Sequence, residues 1–423
     1  MKSNYFCSIS VLSLIFFAAP CISGARTNSL YGSVSVTQSY DSNVYHTDED
    51  HEEGWTTLLS PTIRLTSEGG NDSYSLSYSP GIRYDYLTHE DDIDHNLSLS
   101  ADKNISSRVN VAVREDFVES EESLQDEEAG IMLSEDRLDN RYWTNNFSAG
   151  VEFEYAMDSI LTLAYTNTIL DNQEADQDDY TRHNPSANIS YRFNSQWDGN
   201  LSYDYTKGNF TLSDDMEQHS SALNVGFQIT TNHRFSGTYD FSHTNFQSNA
   251  DDDYSIHSET LGWDWVVNQR TDMSVSIGAT QLSADSGEDS DGFTYSLSVS
   301  REMKRGNISL TGNGGFDERY FEGAGDGLTR FRMLEGTLSY LLTERLSSGF
   351  NLSYRNDKDL GLIEQNETNT YGTGFNLSYA FGRWYSVSVI YSYRLVDGDL
   401  DFDDYDNHSV ILGFTAGKEL VRW

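Results

Sequence analysis

The residues best suited to binding chemistry are aspartates near the end of the chain. Asp397, Asp399, Asp401 and Asp403 alternate in the stretch DGDLDFDD. Carboxylate oxygens at this density suit Ca²⁺ or Mg²⁺. The spacing is not that of an EF-hand, since Phe402 stands where that loop needs glycine. The stretch is therefore interpreted either as a divalent-cation loop or as a solvated acidic loop.

Catalytic signatures are missing from the sequence. It contains no G-x-S-x-G nucleophile motif, no H-E-x-x-H zinc motif and no phosphate-binding P-loop. The 10 histidines are scattered, and none is placed beside a nucleophile by its spacing. The sequence thus predicts neither an enzyme nor a cofactor.

Apolar and polar residues alternate over most of the chain. In the stretch 73–86, tyrosine, leucine, isoleucine and proline occupy every second position, while serine, glycine, arginine and aspartate occupy the others. Successive side chains of a strand point to opposite faces, so this pattern predicts strands with one apolar and one polar face. It recurs at 222–229, 293–300, 374–381 and 385–393, and no stretch shows comparable helical spacing.

The connections between these stretches alternate between short turns and longer acidic loops. Their number predicts about 20 strands, within a range of 18–20. Short turns on one rim and long loops on the other are typical of outer-membrane barrels, in which the turns are periplasmic. Only a closed sheet of strands pairs every backbone group in lipid. We therefore predict an all-β fold, a closed antiparallel transmembrane β-barrel over residues 26–423, with its aromatic face toward lipid.

Three other classes of chain share parts of this composition. A net charge of −40 with 37% hydrophobic residues would suit a disordered chain, but 27 tyrosines and regular alternation do not. A β-propeller or a tandem array of sandwiches also has many short strands. Those folds usually show a repeated motif or strands that are apolar on both faces, and neither is found here.

The first residues have the pattern of a secretory signal peptide, predicted to span residues 1–25. Lys2 gives a positive start, Ile9–Ala19 is an apolar run too short to cross a bilayer, and Ser23–Ala25 are small residues suited to cleavage. Both cysteines, Cys7 and Cys21, lie in this segment. The barrel is therefore predicted to have no disulfide. A signal peptide followed by a transmembrane barrel predicts a location in the outer membrane of a Gram-negative cell.

Assigning the aromatic face to lipid leaves ionisable residues on the lumen face. This set contains equal numbers of arginines and acids. Its members are Arg64, Arg83, Asp85, Glu152, Glu154, Arg192, Asp204, Arg234, Asp240, Asp264, Arg355 and Arg394. They could line a polar conduit that screens solutes, since barrels of 16 to 18 strands already leave an aqueous channel. They could instead pair with one another and fill the lumen.

Two further segments carry hypotheses of their own. Glu119–Asn140 is the one loop long enough to fold inward, and it is interpreted either as a constriction loop or as an external loop. The chain ends at Trp423, an aromatic residue typical of the signal read by the barrel-assembly machinery, although Glu419 interrupts the alternation before it.

The acidic loops would concentrate cations and rule against a nucleic-acid partner, which needs a basic surface.

The stretch QSYDSNVY at Gln38–Tyr45 resembles the opening hairpin of a family of outer-membrane β-barrel porins often associated with exopolysaccharide or exosortase loci. The resemblance implies contact with outer-membrane lipid and lipopolysaccharide and with polysaccharide secretion components. It implies no catalytic residue. The expected function is a channel for polysaccharide export or for hydrophilic solutes. The alternative is a structural or adhesive barrel with a closed lumen, whose acidic loops bind partners or divalent cations.

Overall fold

The computed structural model describes residues 26–48, 51–121, 141–173, 177–247, 253–284, 290–318, 328–359, 367–399 and 404–423. The regular structure in these ranges is β-strand throughout. No helix that is both long enough and apolar enough to cross a membrane occurs among them. The predicted signal peptide and residues 122–140 of the Glu119–Asn140 loop lie outside the described residues.

Twenty strands form one sheet, which confirms the upper end of the predicted range. In chain order they are β1 Thr27–Asp41, β2 Gly54–Glu68, β3 Asp72–Asp85, β4 Asp91–Ser106, β5 Val109–Ser120, β6 Tyr142–Ala156, β7 Ser159–Asn172, β8 Tyr180–Arg192, β9 Trp197–Phe210, β10 Met216–Thr230, β11 His233–Phe246, β12 Tyr254–Asn268, β13 Thr271–Ala284, β14 Ser290–Met303, β15 Gly306–Glu318, β16 Leu328–Leu341, β17 Leu346–Asp359, β18 Glu367–Phe381, β19 Tyr385–Gly398 and β20 Tyr405–Arg422.

The sheet closes on itself. Each strand pairs antiparallel with its neighbours in the chain, and β1 also pairs with β20 from Ser29↔Arg422 to Asp41↔Ser409. Short turns and longer connections alternate along the chain as predicted. The acidic composition of Glu90–Asp94 predicts one of the longer loops there, and this prediction is wrong over most of the segment, because β4 begins at Asp91. Two acids of that segment, Asp92 and Asp94, fall on the polar face and so fit the alternation of the strand.

The apolar face of the barrel is the exposed one. On β3, Tyr78, Ile82 and Tyr84 are 41%, 44% and 40% exposed, and most other strands repeat this pattern. Few large apolar side chains in the described residues are buried, so the barrel has no compact apolar core of the kind a soluble sandwich needs. So extensive an exposed apolar surface requires hydrocarbon around it. Closure and this exterior make the protein an integral outer-membrane β-barrel.

Aromatic residues mark both edges of the apolar exterior. Near the short turns, rings cluster in pairs such as Trp197–Phe227 and Trp263–Trp265, with centroids 4.5 and 5.5 Å apart. Toward the long-loop rim, a tyrosine hydroxyl meets the Nδ1 atom of a histidine on the following strand five times. The pairs are Tyr78–His95, Tyr165–His183, Tyr203–His219, Tyr239–His257 and Tyr391–His408, at 2.7–2.9 Å. Such rings typically lie at the two membrane–water interfaces.

The last strand resolves the interruption seen in the sequence at Glu419. A register shift between Leu30 and Tyr31 places one extra residue in β20, so that Glu419 pairs with Tyr31 and Val421 pairs with Leu30. A bulge of this kind changes the face on which the following residues lie. Trp423 then exchanges backbone hydrogen bonds of 2.9 and 3.0 Å with Asn28. Recognition of Trp423 by the assembly machinery remains a prediction.

Candidate functional site: the lumen wall

The strand register places the twelve candidate ionisable residues at the polar positions of their strands. Arg234, for example, is directly opposite Asp264, whereas the neighbouring pair Phe235 and Trp263 lies on the other face. The same holds on β2, β3, β6, β8, β9, β17 and β19. Because the apolar face contacts lipid, these positions line the interior of the barrel.

On the periplasmic half of the wall, Arg234 joins three strands. Its Nη2 lies 2.7 Å from Asp198 on β9 and its Nη1 lies 3.4 Å from Asp264 on β12. To reach β9 the guanidinium crosses β10 at Gly226, where any Cβ atom would collide with it. Glycine is therefore required there so that the arginine can lie flat on the wall. Arg192 pairs with Asp158 at 2.8 Å, with both side chains about half exposed.

On the extracellular half, arginines again pair along the wall. Arg355 lies 2.8 Å from Asp317 and 2.8 Å from Asp357, and its guanidinium stacks 5.1 Å above the ring of Phe331. Its side chain is only 7% exposed. An arginine so buried is stable only when paired, so this cluster fixes β15, β16 and β17 relative to one another.

Three other candidates at this level have partners that sequence alone did not identify. Arg83 pairs with Asp94 at 2.7 Å. Asp85 accepts hydrogen bonds from the backbone of the following turn, including one of 2.7 Å from Leu87 N. Arg394 lies 5.7 Å from the ring centre of Tyr405.

Halfway along the wall, the carboxylates of Asp204 and Asp240 flank β10. Asp204 is opposite Ser220, and Asp240 is opposite Ala222. Neither carboxylate forms an ion pair with any residue that the structure describes. Further acids lie on this face, Asp116 and Glu335 among them, and the sequence did not predict them because alternation is less regular around these positions. Arg64, Glu152 and Glu154 lie closer to the short turns and likewise have no ion pair within the described ranges.

The ion pairs lie along the wall and do not bridge the lumen. Each pair found among the described residues joins groups on one strand, on strands at most two apart around the barrel, or on the turns and loops next to them. Close contacts between the described strands follow the same rule, since they join neighbours around the barrel or, for β12 and β14, next neighbours.

The inner rim at the long-loop end carries an apolar belt that the sequence analysis did not foresee. It runs over eight consecutive strands at positions where the polar face was expected. Its members are Tyr142, Leu170, Tyr180, Phe210, Met216, Phe246, Tyr254 and Leu282. Met216 and Leu170 are 2% and 3% exposed. The available signal was consecutive apolar residues at strand ends, as in Tyr142–Trp143, where strict alternation breaks down.

The QSYDSNVY stretch has a structural role at the seam between β1 and β20. Asn43 has no exposed surface. Its Nδ2 donates to Thr47 O at 2.8 Å and to Asp406 O at 3.0 Å, while its Oδ1 accepts from Thr47 N at 3.1 Å. Asp41 accepts at one carboxylate oxygen from Asn43 N, at 3.0 Å, and at the other from Asn407 Nδ2, at 3.2 Å. These residues fold the first loop and attach it to the last strand.

The hypothesis of a divalent-cation loop concerns residues that the structure covers only in part. Asp401 and Asp403 lie outside the described residues. Asp397 is the last but one residue of β19, and Asp399 Oδ2 accepts from Glu367 N at 3.2 Å. Among the described residues, no group of three or more side chains could hold a metal ion. Cation binding by this loop remains a prediction.

One carboxylate outside the membrane-spanning strands is held by a neighbouring loop. Asp178 accepts backbone hydrogen bonds of 2.8, 2.8 and 3.0 Å from Thr211, Leu212 and Ser213. Partial burial alone would raise the pKa of Asp178. The backbone hydrogen bonds and one from the Ser213 side chain favour the charged carboxylate and together outweigh burial, so the pKa lies below its ordinary value. The ionised carboxylate thus joins the loop after β7 to the loop after β9.

The sequence matches no family model and shows no similarity to a curated protein. Solved structures share the fold. The siderophore receptor PirA from Pseudomonas aeruginosa aligns with a TM-score of 0.54 and 12% identity over 92% of this chain and 80% of its own. PirA from Acinetobacter baumannii aligns with a TM-score of 0.51 and 10% identity over 92% and 81%. OpdQ from P. aeruginosa aligns with a TM-score of 0.44 and 10% identity over 94% and 98%. At these identities the likeness concerns the fold alone, a closed barrel of the outer-membrane type.

Proposed function

We propose that this protein is an outer-membrane channel through which hydrophilic solutes pass along the barrel lumen. The observation that carries the proposal is the wall itself. Apart from the apolar belt its inner face is polar, its ion pairs lie along the wall, and the close contacts of its described strands join neighbours around the barrel. A barrel of 20 strands is wider than barrels of 16 to 18 strands, which already enclose water.

Purified protein in a planar lipid bilayer tests this proposal. We expect stepwise conductance increases as single barrels insert, since a water-filled lumen carries ions. The control is the same preparation after heat denaturation, which should give no steps. Silence from protein that shows the heat-modifiable gel shift of a folded barrel would contradict the channel.

For the cargo, we propose exported polysaccharide. Support comes from the resemblance of Gln38–Tyr45 to the opening hairpin of porins linked to exopolysaccharide loci. Proteoliposomes loaded with oligosaccharides of increasing length would test it. Efflux of long chains through this barrel, but not through a general diffusion porin of similar conductance, is the expected result. Passage of salts and monosaccharides alone would leave general solute diffusion as the function.

A second candidate is a structural or adhesive barrel whose lumen stays closed. The apolar belt on the inner rim favours it, because apolar side chains at a wide aqueous mouth would be poorly solvated. Its acidic loops would then bind a partner or divalent cations. A silent bilayer combined with saturable binding of Ca²⁺ to the folded protein would support this candidate over the channel.

A further inference from the structure

Three basic side chains lie together on the outer wall near the long-loop rim. Arg330 on β16 is directly opposite Lys358 on β17, and Arg332 follows on the same face of β16. We call Arg330, Arg332 and Lys358 the basic patch. Directly opposed side chains of a strand pair have Cβ atoms about 5 Å apart, and like charges in this position repel. A bound anion would relieve this repulsion.

No ion pair neutralises the patch within the described part of the chain. None of its three members forms an ion pair with a carboxylate there. Glu367 is opposite Lys358 on β18, but its carboxylate accepts a hydrogen bond from Asn356 Nδ2 at 2.9 Å.

The side chains below the patch on the outer face indicate its depth in the membrane. On the same face and one step deeper, the rings of Tyr354 and Tyr371 lie 5.1 Å apart. Leu334 is directly opposite Tyr354 and Leu352 lies one step deeper, and the two are 48% and 51% exposed toward the hydrocarbon. Charge, followed by aromatic and aliphatic side chains, is the order expected from headgroup to acyl chain.

The histidines of the five Tyr–His pairs lie at the same depth elsewhere on the barrel. Like them, the members of the basic patch lie within the outermost five residues of their strands. Long loops face the cell exterior in barrels of this type, so the patch lies at the headgroups of the outer leaflet.

We propose that the basic patch binds a phosphate group of outer-leaflet lipopolysaccharide. Arginine presents a planar fork of donors that matches phosphate oxygens, and lysine adds a compact charge. Basic residues at a membrane surface attract anionic headgroups in the same way. This contact is direct and needs no divalent cation, in contrast to bridging through the acidic loops. It depends on placement in the outer membrane and not on an open lumen.

The test compares two triple variants of the full-length mature barrel. The first removes the patch through Arg330→Gln, Arg332→Gln and Lys358→Gln. The control removes the same charge from the outward face at the opposite rim through Lys103→Gln, Arg301→Gln and Lys418→Gln, three exposed residues near the short turns. A heat-modifiable gel shift establishes that each variant is folded.

Binding is measured by native mass spectrometry in EDTA with three probes: lipopolysaccharide, the same lipid after phosphatase treatment, and phosphatidylglycerol. We expect the patch variant to bind intact lipopolysaccharide at least about tenfold more weakly than the parent, with the control unchanged. We also expect the parent to lose the same affinity when the phosphates are removed. Equal binding by patch variant and parent would overturn the proposal. So would equal binding of phosphatidylglycerol and lipopolysaccharide by the parent, which would mean that any lipid phosphate suffices.

Discussion

Replacing Asn43 by alanine should loosen the seam between β1 and β20. The substitution removes the three shortest hydrogen bonds of a fully buried side chain, two of them with Thr47 and one with Asp406. Each bond contributes about 1 kcal/mol net, so the loss is about 3 kcal/mol. That energy corresponds to about a 100-fold change in a local opening equilibrium.

Hydrogen exchange in detergent or nanodiscs measures this opening directly. Two backbone amides report on the seam: Ser42 N, bonded to His408 O at 3.0 Å, and Val44 N, bonded to Glu52 O at 2.9 Å. Both should exchange about 100-fold faster in Asn43→Ala, while amides of β8 keep the parent rate. Asn71→Ala is the matched control, since Asn71 lies exposed in a short turn. Parent-like exchange at Ser42 and Val44 in Asn43→Ala would refute the structural role given to this motif.

Three further outcomes follow from the wall and the loops. Gly226→Ala should destabilise the barrel by about 1–3 kcal/mol, because the new Cβ displaces the guanidinium of Arg234. The effect would be measured as a lower midpoint of urea unfolding, and an unchanged midpoint would mean that the arginine can move without cost. Replacing Asp204 and Asp240 together by asparagine should lower the preference for cations, measured as a reversal potential in a KCl gradient; no change would place these carboxylates away from the ion path. The lowered pKa of Asp178 means that its contribution to stability is present above the unfolded pKa of about 3.9 and is lost as the pH falls through the folded value. Exchange at 211–213, corrected for intrinsic rates, should therefore accelerate in acid in the parent but show no such pH dependence in Asp178→Asn.

The barrel could be predicted from sequence because one physical rule acts on nearly every strand. A lipid-facing side chain must be apolar and a lumen-facing one can be polar. Apolar and polar residues therefore alternate at every second position in strands such as β3. Turn positions followed from the same rule, since alternation stops where the chain leaves the wall. The rule fails for Asp92 and Asp94, because acidic residues on the polar face look the same in a strand as in a loop.

The lumen was harder to predict, because its pairs depend on neighbours that are distant in the chain. Arg234 meets Asp198 only across an intervening strand, and nothing in the local sequence signals the role of Gly226 in that contact. The apolar belt was missed because every aromatic residue was assigned to lipid. The bulge before Val421 was visible only as an interrupted pattern, and its cause required the register of the final strand.

The central claim is that the polar face of the wall contacts water in the lumen while the apolar face contacts lipid. Single cysteines along β9 test it, since residues 26–423 contain no native cysteine. A charged, water-soluble thiol reagent should modify cysteines at Ser202, Asp204 and Thr206 and lower the single-channel conductance, and it should leave cysteines at Leu201 and Tyr203 unmodified. Equal labelling of both faces, or labelling of Leu201 and Tyr203 alone, would contradict the account.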